Sequence, residues 1–183
     1  MKEGKSVQDK LKLQKFENFL KENFENYYYI FLMTFNLGLN LKTITKMSKK
    51  DVKEIIDERK NNILDNDKID EINNFLEHLD RDDLIICNIN ESFSDEDINV
   101  IQKEIYNFMK EKAKKVGIEN FGNETMKKSY AYFHYQRYQD IDRIKDILAL
   151  VSPTATLHYM GYEEDRYLCF YCNRGCIYRK KYK

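Results

Sequence analysis

From Tyr27 to Leu39 the chain reads Tyr-Tyr-Tyr-Ile-Phe-Leu-Met-Thr-Phe-Asn-Leu-Gly-Leu, thirteen residues without a charge in a sequence that is 34% charged. Strands usually span roughly five or six residues, so a run of this length is read as a helix. With no polar face, that helix must be buried on nearly all sides. Covering it takes several other elements, and 183 residues suffice for one domain that does so. A single Pro and six Gly favour helices with short connections.

The flanking sequence supplies those helices. Lys10 to Glu22 places Leu11, Leu13, Phe16, Phe19 and Leu20 near helical spacing. Ile69, Ile72, Phe75, Leu76 and Leu79 mark one face of another helix. Ser94 and Asp97 form a capping-box pattern before a helix carrying Ile98, Ile101, Ile105, Phe108, Met109 and Val116, which Gly117 is placed to end. Further helices are expected at Thr125–Tyr138, Ile141–Leu150 and Pro153–Met160, the last opened by Ser152 as N-cap and Pro153 as first helical residue. Two short stretches, Lys53–Glu58 and Asp83–Cys87, read as strands. The expected fold is therefore mainly α with a small β-sheet or hairpin.

Net charge is zero, a mild argument against tight nucleic-acid binding, whose affinity comes largely from neutralising phosphates. The charge is unevenly distributed, however. From Asn61 to Val100 there are twelve acidic residues and two basic ones, a local net of −10 that leaves +10 on the rest. A basic face opposite an acidic one is compatible with that split. No apolar run approaches the roughly 20 residues of a membrane span. No signal peptide is read behind Met1-Lys2-Glu3-Gly4-Lys5, and four Cys without one point to reduced thiols and a cytoplasmic location.

Leu148-Ala149-Leu150-Val151-Ser152-Pro153-Thr154-Ala155-Thr156-Leu157-His158-Tyr159-Met160-Gly161 resembles the nucleophile box of the tyrosine recombinases, the phage-integrase family, which usually reads like L-N-H-S-S-P-x-x-T-L-R-Y-I-G. Upstream, the stretch from Leu37 to Val52 looks like the first family box, T-G-L-R-I-S-E-L-L-x-L-K-W-S-D-V. Ala113 to Gly122 looks like the approach to the second box, T-H-S-L-R-K-T-F, which here reads Asn123-Glu124-Thr125-Met126-Lys127-Lys128-Ser129-Tyr130. The resemblance runs from about Leu11 to Asp165 and implies a tyrosine-recombinase catalytic domain at positions 1–165. It implies no separate DNA-clamping domain before it, and a divergent Cys-containing basic tail at 166–183.

In such a family the Tyr attacks a backbone phosphorus and forms a 3′-phosphotyrosine link, which a 5′-hydroxyl later reverses. Two guanidinium forks stabilise the doubly negative transition state. A hairpin Lys protonates the leaving oxygen, and His residues position and move protons. Mapped onto this chain, the nucleophile is Tyr159. The first Arg position is Asn40, without charge. The His position is Glu124, a carboxylate that repels phosphate. The second Arg position is Lys127, which keeps charge but loses the fork. The later His or Trp position is Leu150, and the hairpin Lys is best matched by Lys60. Loss of one preorganised donor typically raises a barrier by ~2.7–4 kcal/mol, so efficient strand cleavage is not expected. A literal H-x-x-R at His134-Tyr135-Gln136-Arg137 lies ten residues beyond Lys127, a displacement of about 15 Å along one helix. Its bland reading is a surface or DNA-facing helix.

Lys127, Lys128, Arg137 and His158 are the expected DNA contacts. The resemblance thus implies a DNA partner, with an active recombinase or a second copy as further partners, and an accessory role in the integration or recombination of a mobile element. A weakly active enzyme using Tyr159 and a protein-interaction module that has lost DNA are the alternatives. Tyr159 also has a structural reading, as a packed aromatic with a satisfied hydroxyl. In the tail, Cys169, Cys172 and Cys176 offer a partial zinc set that needs a fourth ligand such as Cys87 or His158. Otherwise these cysteines pack as small hydrophobes, and no cofactor is expected.

Overall fold

A computed structural model describes residues 4–60, 65–79, 85 and 98–162. Among the described residues nine helices follow one another: α1 Lys10–Asn23, α2 Glu25–Asn36, α3 Leu41–Ile44, α4 Lys49–Arg59, α5 Asn66–Glu77, α6 Ile98–Lys115, α7 Thr125–Tyr138, α8 Ile141–Leu148 and α9 Pro153–Met160. The charge-free run forms α2 and the turn after it, and α2 packs on α1, α3, α5 and α7. Tyr28, Ile30, Phe31, Leu32, Met33 and Thr34 are all buried, so the helix has no solvent face along its middle turns. The buried threonine hydroxyl, Thr34 Oγ1, donates back to the carbonyls of Ile30 and Phe31 and needs no outside partner.

Aromatic rings fill the space around α2. Tyr27 stacks on Phe108 of α6, and Tyr29 stacks on Phe75 of α5. Below them Lys68 bridges Glu17 at 2.8 Å and Glu71 at 3.2 Å, and Tyr28 donates to Glu71, tying α1, α2 and α5 together. A second, smaller core lies between α7, α8 and α9. It contains Tyr130, Tyr132, Ile144, Leu148, Leu157, Met160 and Tyr162.

Lys53–Glu58 is helical, not a strand. Ser48 and Asp51 form a reciprocal capping box that starts α4, and Val52 and Ile56, four residues apart, are its buried pair. Spacing of four is a helix face, whereas a strand would alternate. Among the described residues there is no β-strand at all. The expected strand at Asp83–Cys87 falls mostly outside the described residues. Ile85 alone is described, buried and donating its N–H to the Met47 carbonyl at 2.9 Å. The Ser94–Asp97 capping pattern and residues 163–183, with Cys169, Cys172, Cys176 and the basic end, also lie outside them, as does Cys87. No helix of the described residues is long and apolar enough to cross a membrane.

Two glycines fix close approaches. Gly38 has φ +64°, and a Cβ there would meet Tyr130 Cδ1 at 2.6 Å, so the turn after α2 lies directly against the α7 ring. Gly4 has φ +81°, and a Cβ there would meet the Gly122 backbone N at 2.4 Å. The non-glycine Ala149 also stands in the left-handed region, φ 54°, where it caps α8. Replacing this exposed alanine with glycine relieves that strain and should raise stability by about 0.5–1 kcal/mol in urea unfolding.

His134 is fully buried, against the rings of Tyr130 and Tyr138, and neither ring nitrogen has a hydrogen-bond partner. This excludes the surface or DNA-facing reading for the His of the H-x-x-R motif. Burial, reinforced by Arg143, lowers its pKa to about 4. The unfolded chain takes up a proton near pH 6.5, and the folded one resists until about pH 4. Stability is therefore full above pH 6.5 and falls as pH drops toward 4, by up to about 3 kcal/mol. The Tm of His134→Phe should decline less than that of the wild type across this window; parallel curves would show that His134 does not carry the effect.

Candidate active site

The residues matched to the recombinase boxes lie where α3, α7 and α9 meet. Asn40 is the N-cap of α3; its carboxamide oxygen accepts from Thr43 N at 2.7 Å and Thr43 Oγ1 at 2.8 Å. That oxygen is committed to the cap, because Asn in this position satisfies an otherwise orphaned helical N–H. The next two residues reach across to α7. Leu41 N–H donates to the Asn123 carbonyl at 3.4 Å and Lys42 N–H to Asn123 Oδ1 at 2.9 Å. Asn123 Nδ2 then donates to Glu124 Oε1 at 3.1 Å.

Glu124 stands at the N-cap of α7 but makes no side-chain cap bond. Its carboxylate turns instead toward α9, where Tyr159 Oη donates to Oε2 at 2.7 Å. Thus the first box, the second box and the nucleophile box are joined by one chain of hydrogen bonds, from the α3 N-terminus through Asn123 and Glu124 to Tyr159. Lys127 lies one turn along α7 and is partly buried. Burial lowers its pKa, with Glu124 raising it and Arg59 lowering it further. Lys128 donates to the Gly4 carbonyl at 3.2 Å and holds its ammonium 5.1 Å from the centre of the Tyr159 ring.

A segment before α1 braces this corner. Lys5 N–H donates to the Asn120 carbonyl at 3.1 Å and Val7 N–H to Ser129 Oγ at 2.7 Å. Ser6 Oγ and Gln8 Nε2 both donate to the Met160 carbonyl, at 2.7 and 3.0 Å. The cavity between this segment and the helices is about 640 Å³ and is lined by Lys5, Lys12, Lys128, His158 and Tyr159 among others.

The remaining predicted positions separate. Leu150 packs partly buried on the second core, as does the Tyr159 ring itself. Lys60 is exposed at the end of α4 and belongs to no described hairpin. Its neighbour Arg59 turns inward instead, donating to the carbonyl of Leu37 and to that of Ile147 at 3.4 Å. Burial lowers the pKa of Arg59. Val52, Ile56 and Arg59 share the i, i+4, i+7 face of α4, a signal invisible once the stretch is read as a strand. Asn123 likewise has no charge or motif to mark it; its role comes from the fold, which sets it between Lys42 and Glu124. Arg137 is exposed and lines a different cavity, with Phe35, Phe133 and Lys68. His158 is exposed on α9 next to Tyr159. No cluster of three or more metal-ligating side chains occurs among the described residues, and all four cysteines lie outside them.

A curated protein is similar to this chain in sequence. The chain is 26% identical over 163 residues to a curated protein of Bacillus subtilis (strain 168) named "Probable integrase/recombinase YoeC", covering 84% of this chain and 87% of that one. That similarity is to a protein named as an integrase/recombinase and extends over most of both chains. No family model and no solved structure matches it. The hydroxyl of Tyr159, the residue matched to the nucleophile box, is bonded to the Glu124 carboxylate. Net hydrogen bonds of this charge-assisted kind contribute ~1.5–3 kcal/mol. A double-mutant cycle of Tyr159→Phe and Glu124→Gln, read by urea unfolding, should give a coupling of about 1 kcal/mol or more. Additive effects would mean that the two side chains do not hold each other in solution.

Proposed function

We propose that this chain is a recombinase-like DNA-binding protein that does not cleave strands efficiently and acts in an accessory or regulatory way in the integration or recombination of a mobile element. The observation that carries this reading is the meeting of Asn40, Glu124, Lys127 and Tyr159 at one junction of α3, α7 and α9. The named relative supports a recombination context. The chemistry supports the loss of cleavage. A phosphate approaching Tyr159 must come within about 4 Å of the Glu124 carboxylate, a repulsion of about 4 kcal/mol near a protein surface. That exceeds the ~1.5–3 kcal/mol of a charged hydrogen bond from Lys127. Lys127, Lys128 and His158 remain as cationic or cationisable groups beside the site, enough to contact a DNA backbone without the forks that cleavage requires.

The Tyr159–Glu124 bond also favours a second reading, a weak enzyme. A carboxylate within hydrogen-bond reach of the nucleophile's proton has the geometry of a general base. Tyr159 Oη would then attack phosphorus, its proton passing to Glu124, while the bond to the 5′ oxygen breaks and that oxygen takes up a proton.

Two measurements separate these readings. In mobility-shift titrations on DNA from the protein's own locus, binding should weaken with salt, and Lys127→Ala should lower the slope of log affinity against log salt by about one. On a nicked suicide substrate the wild type should trap no covalent adduct; an adduct lost in Tyr159→Phe would establish the enzyme instead. Salt-independent or absent binding would remove the DNA role.

A further inference from the structure

We propose that the cavity between α1, α2, α5 and α7 is a binding site for a free purine ribonucleotide whose base carries an amino group. The cavity shares no lining residue with the Tyr159 corner. Its volume is about 550 Å³, within the roughly 300–1,000 Å³ of small-molecule sites. Of its lining residues only Leu13 and Asn36 are buried. Asn36, at the end of α2, is 2% exposed. Its Nδ2 is spent on the Leu32 carbonyl at 3.2 Å, and among the described residues no hydrogen bond reaches its Oδ1. A buried acceptor left without a donor is costly, and an N–H entering the cavity supplies one. Beside it Phe35 and Phe133 meet edge to face, ring centres 6.0 Å apart, both half-buried on the lining. Rings so placed pack against a flat base, and the amino group of that base is the donor Asn36 lacks.

The charges of the lining select the rest of the ligand. Lys10 and Glu17 stand seven residues apart on α1, about 10 Å along the helix. At the Glu17 end, Lys68 bridges Glu17 at 2.8 Å, and Asp65, the N-cap of α5, also lines the cavity. The lining is therefore basic toward the start of α1 and carries carboxylates farther along it. Lys68 already neutralises Glu17, and one oxygen of Asp65 accepts from Asp67 N–H at 3.1 Å, which leaves the other for a ligand hydroxyl. A ribonucleotide has the same asymmetry. Its ribose hydroxyls donate to a carboxylate, and its phosphate takes Lys10, with the Arg137 guanidinium of α7 on the same lining. An aromatic acid without the sugar would leave Asp65 unmatched.

The test is calorimetric titration of the full chain with AMP, without DNA, and saturation-transfer NMR to read which ligand protons touch the protein. AMP should bind, with the strongest transfer to its adenine protons. Purine riboside monophosphate, which lacks the amino group, should bind the unaltered chain about tenfold more weakly, and Asn36→Leu should erase that difference. The analogue decides the role of Asn36 even if Asn36→Leu does not fold. Lys10→Ala combined with Arg137→Ala, both at exposed positions, should weaken AMP about tenfold and leave adenosine unchanged. No binding of AMP at about 1 mM would overturn the proposal. So would equal affinity for AMP and the analogue, or an AMP affinity that the double variant leaves unmoved. A deoxyadenosine tetranucleotide that binds more tightly than AMP would overturn the assignment to a free nucleotide. The AMP titration needs no recombination substrate, so its failure leaves the DNA-binding result standing, and failure of DNA binding leaves this one standing.

Discussion

A helix that cannot face water organises this molecule. Once α2 is formed, its rings and aliphatic chains demand cover on every side, and α1, α3, α5 and α7 supply it. Hydrophobic burial sets this arrangement without directionality, so finer contacts must orient the helices. The stacked pairs Tyr27 with Phe108 and Tyr29 with Phe75, and the Lys68 bridge between Glu17 and Glu71, do that on the outer side. On the inner side Gly38 lets the chain turn tightly against Tyr130, which fixes where α3 begins relative to α7. The position of Asn123 opposite the α3 N-terminus follows from that turn.

The junction of α3, α7 and α9 is thus a consequence of core packing carried one step outward. Its polar groups form a linear relay, in which each residue both receives orientation and passes it on. Such a relay is worth more than its separate bonds when every member is satisfied. A site of this kind is rigid in a different way from one built of guanidinium forks. It holds an internal negative group in place, whereas a cleavage site must present a cationic vacancy to the substrate.

Much of this was legible in the sequence. The helices of the second half, the Ser152–Pro153 start of α9 and the Gly117 stop after α6 follow from capping chemistry and periodicity, and the structure bears them out. The chain's likeness to the recombinases also could be read from the spacing of its boxes. What could not be read was decided by tertiary contact. Lys53–Glu58 looked like a strand because Ile55 and Ile56 are adjacent and β-branched, yet only Ile56 is buried, and the capping box of Ser48 and Asp51 prevails. Arg59 and Asn123 have no motif of their own; their roles appear only when the carbonyls of Leu37 and Ile147, or the amide of Lys42, are brought beside them. His134 looked like part of a polar motif, and burial makes it a core residue.

The bonds from Ser6 and Gln8 to the Met160 carbonyl join positions 154 and 152 residues apart. Contacts of such long sequence separation form late, because the entropy of closing the intervening loop must first be offset by structure within it. During synthesis the segment before α1 emerges long before α9 exists, and it must wait, unpaired, for its partner to leave the ribosome. The corner that holds Tyr159 thus ties the start of the described residues to their end, and closing it needs nearly all of the fold between them.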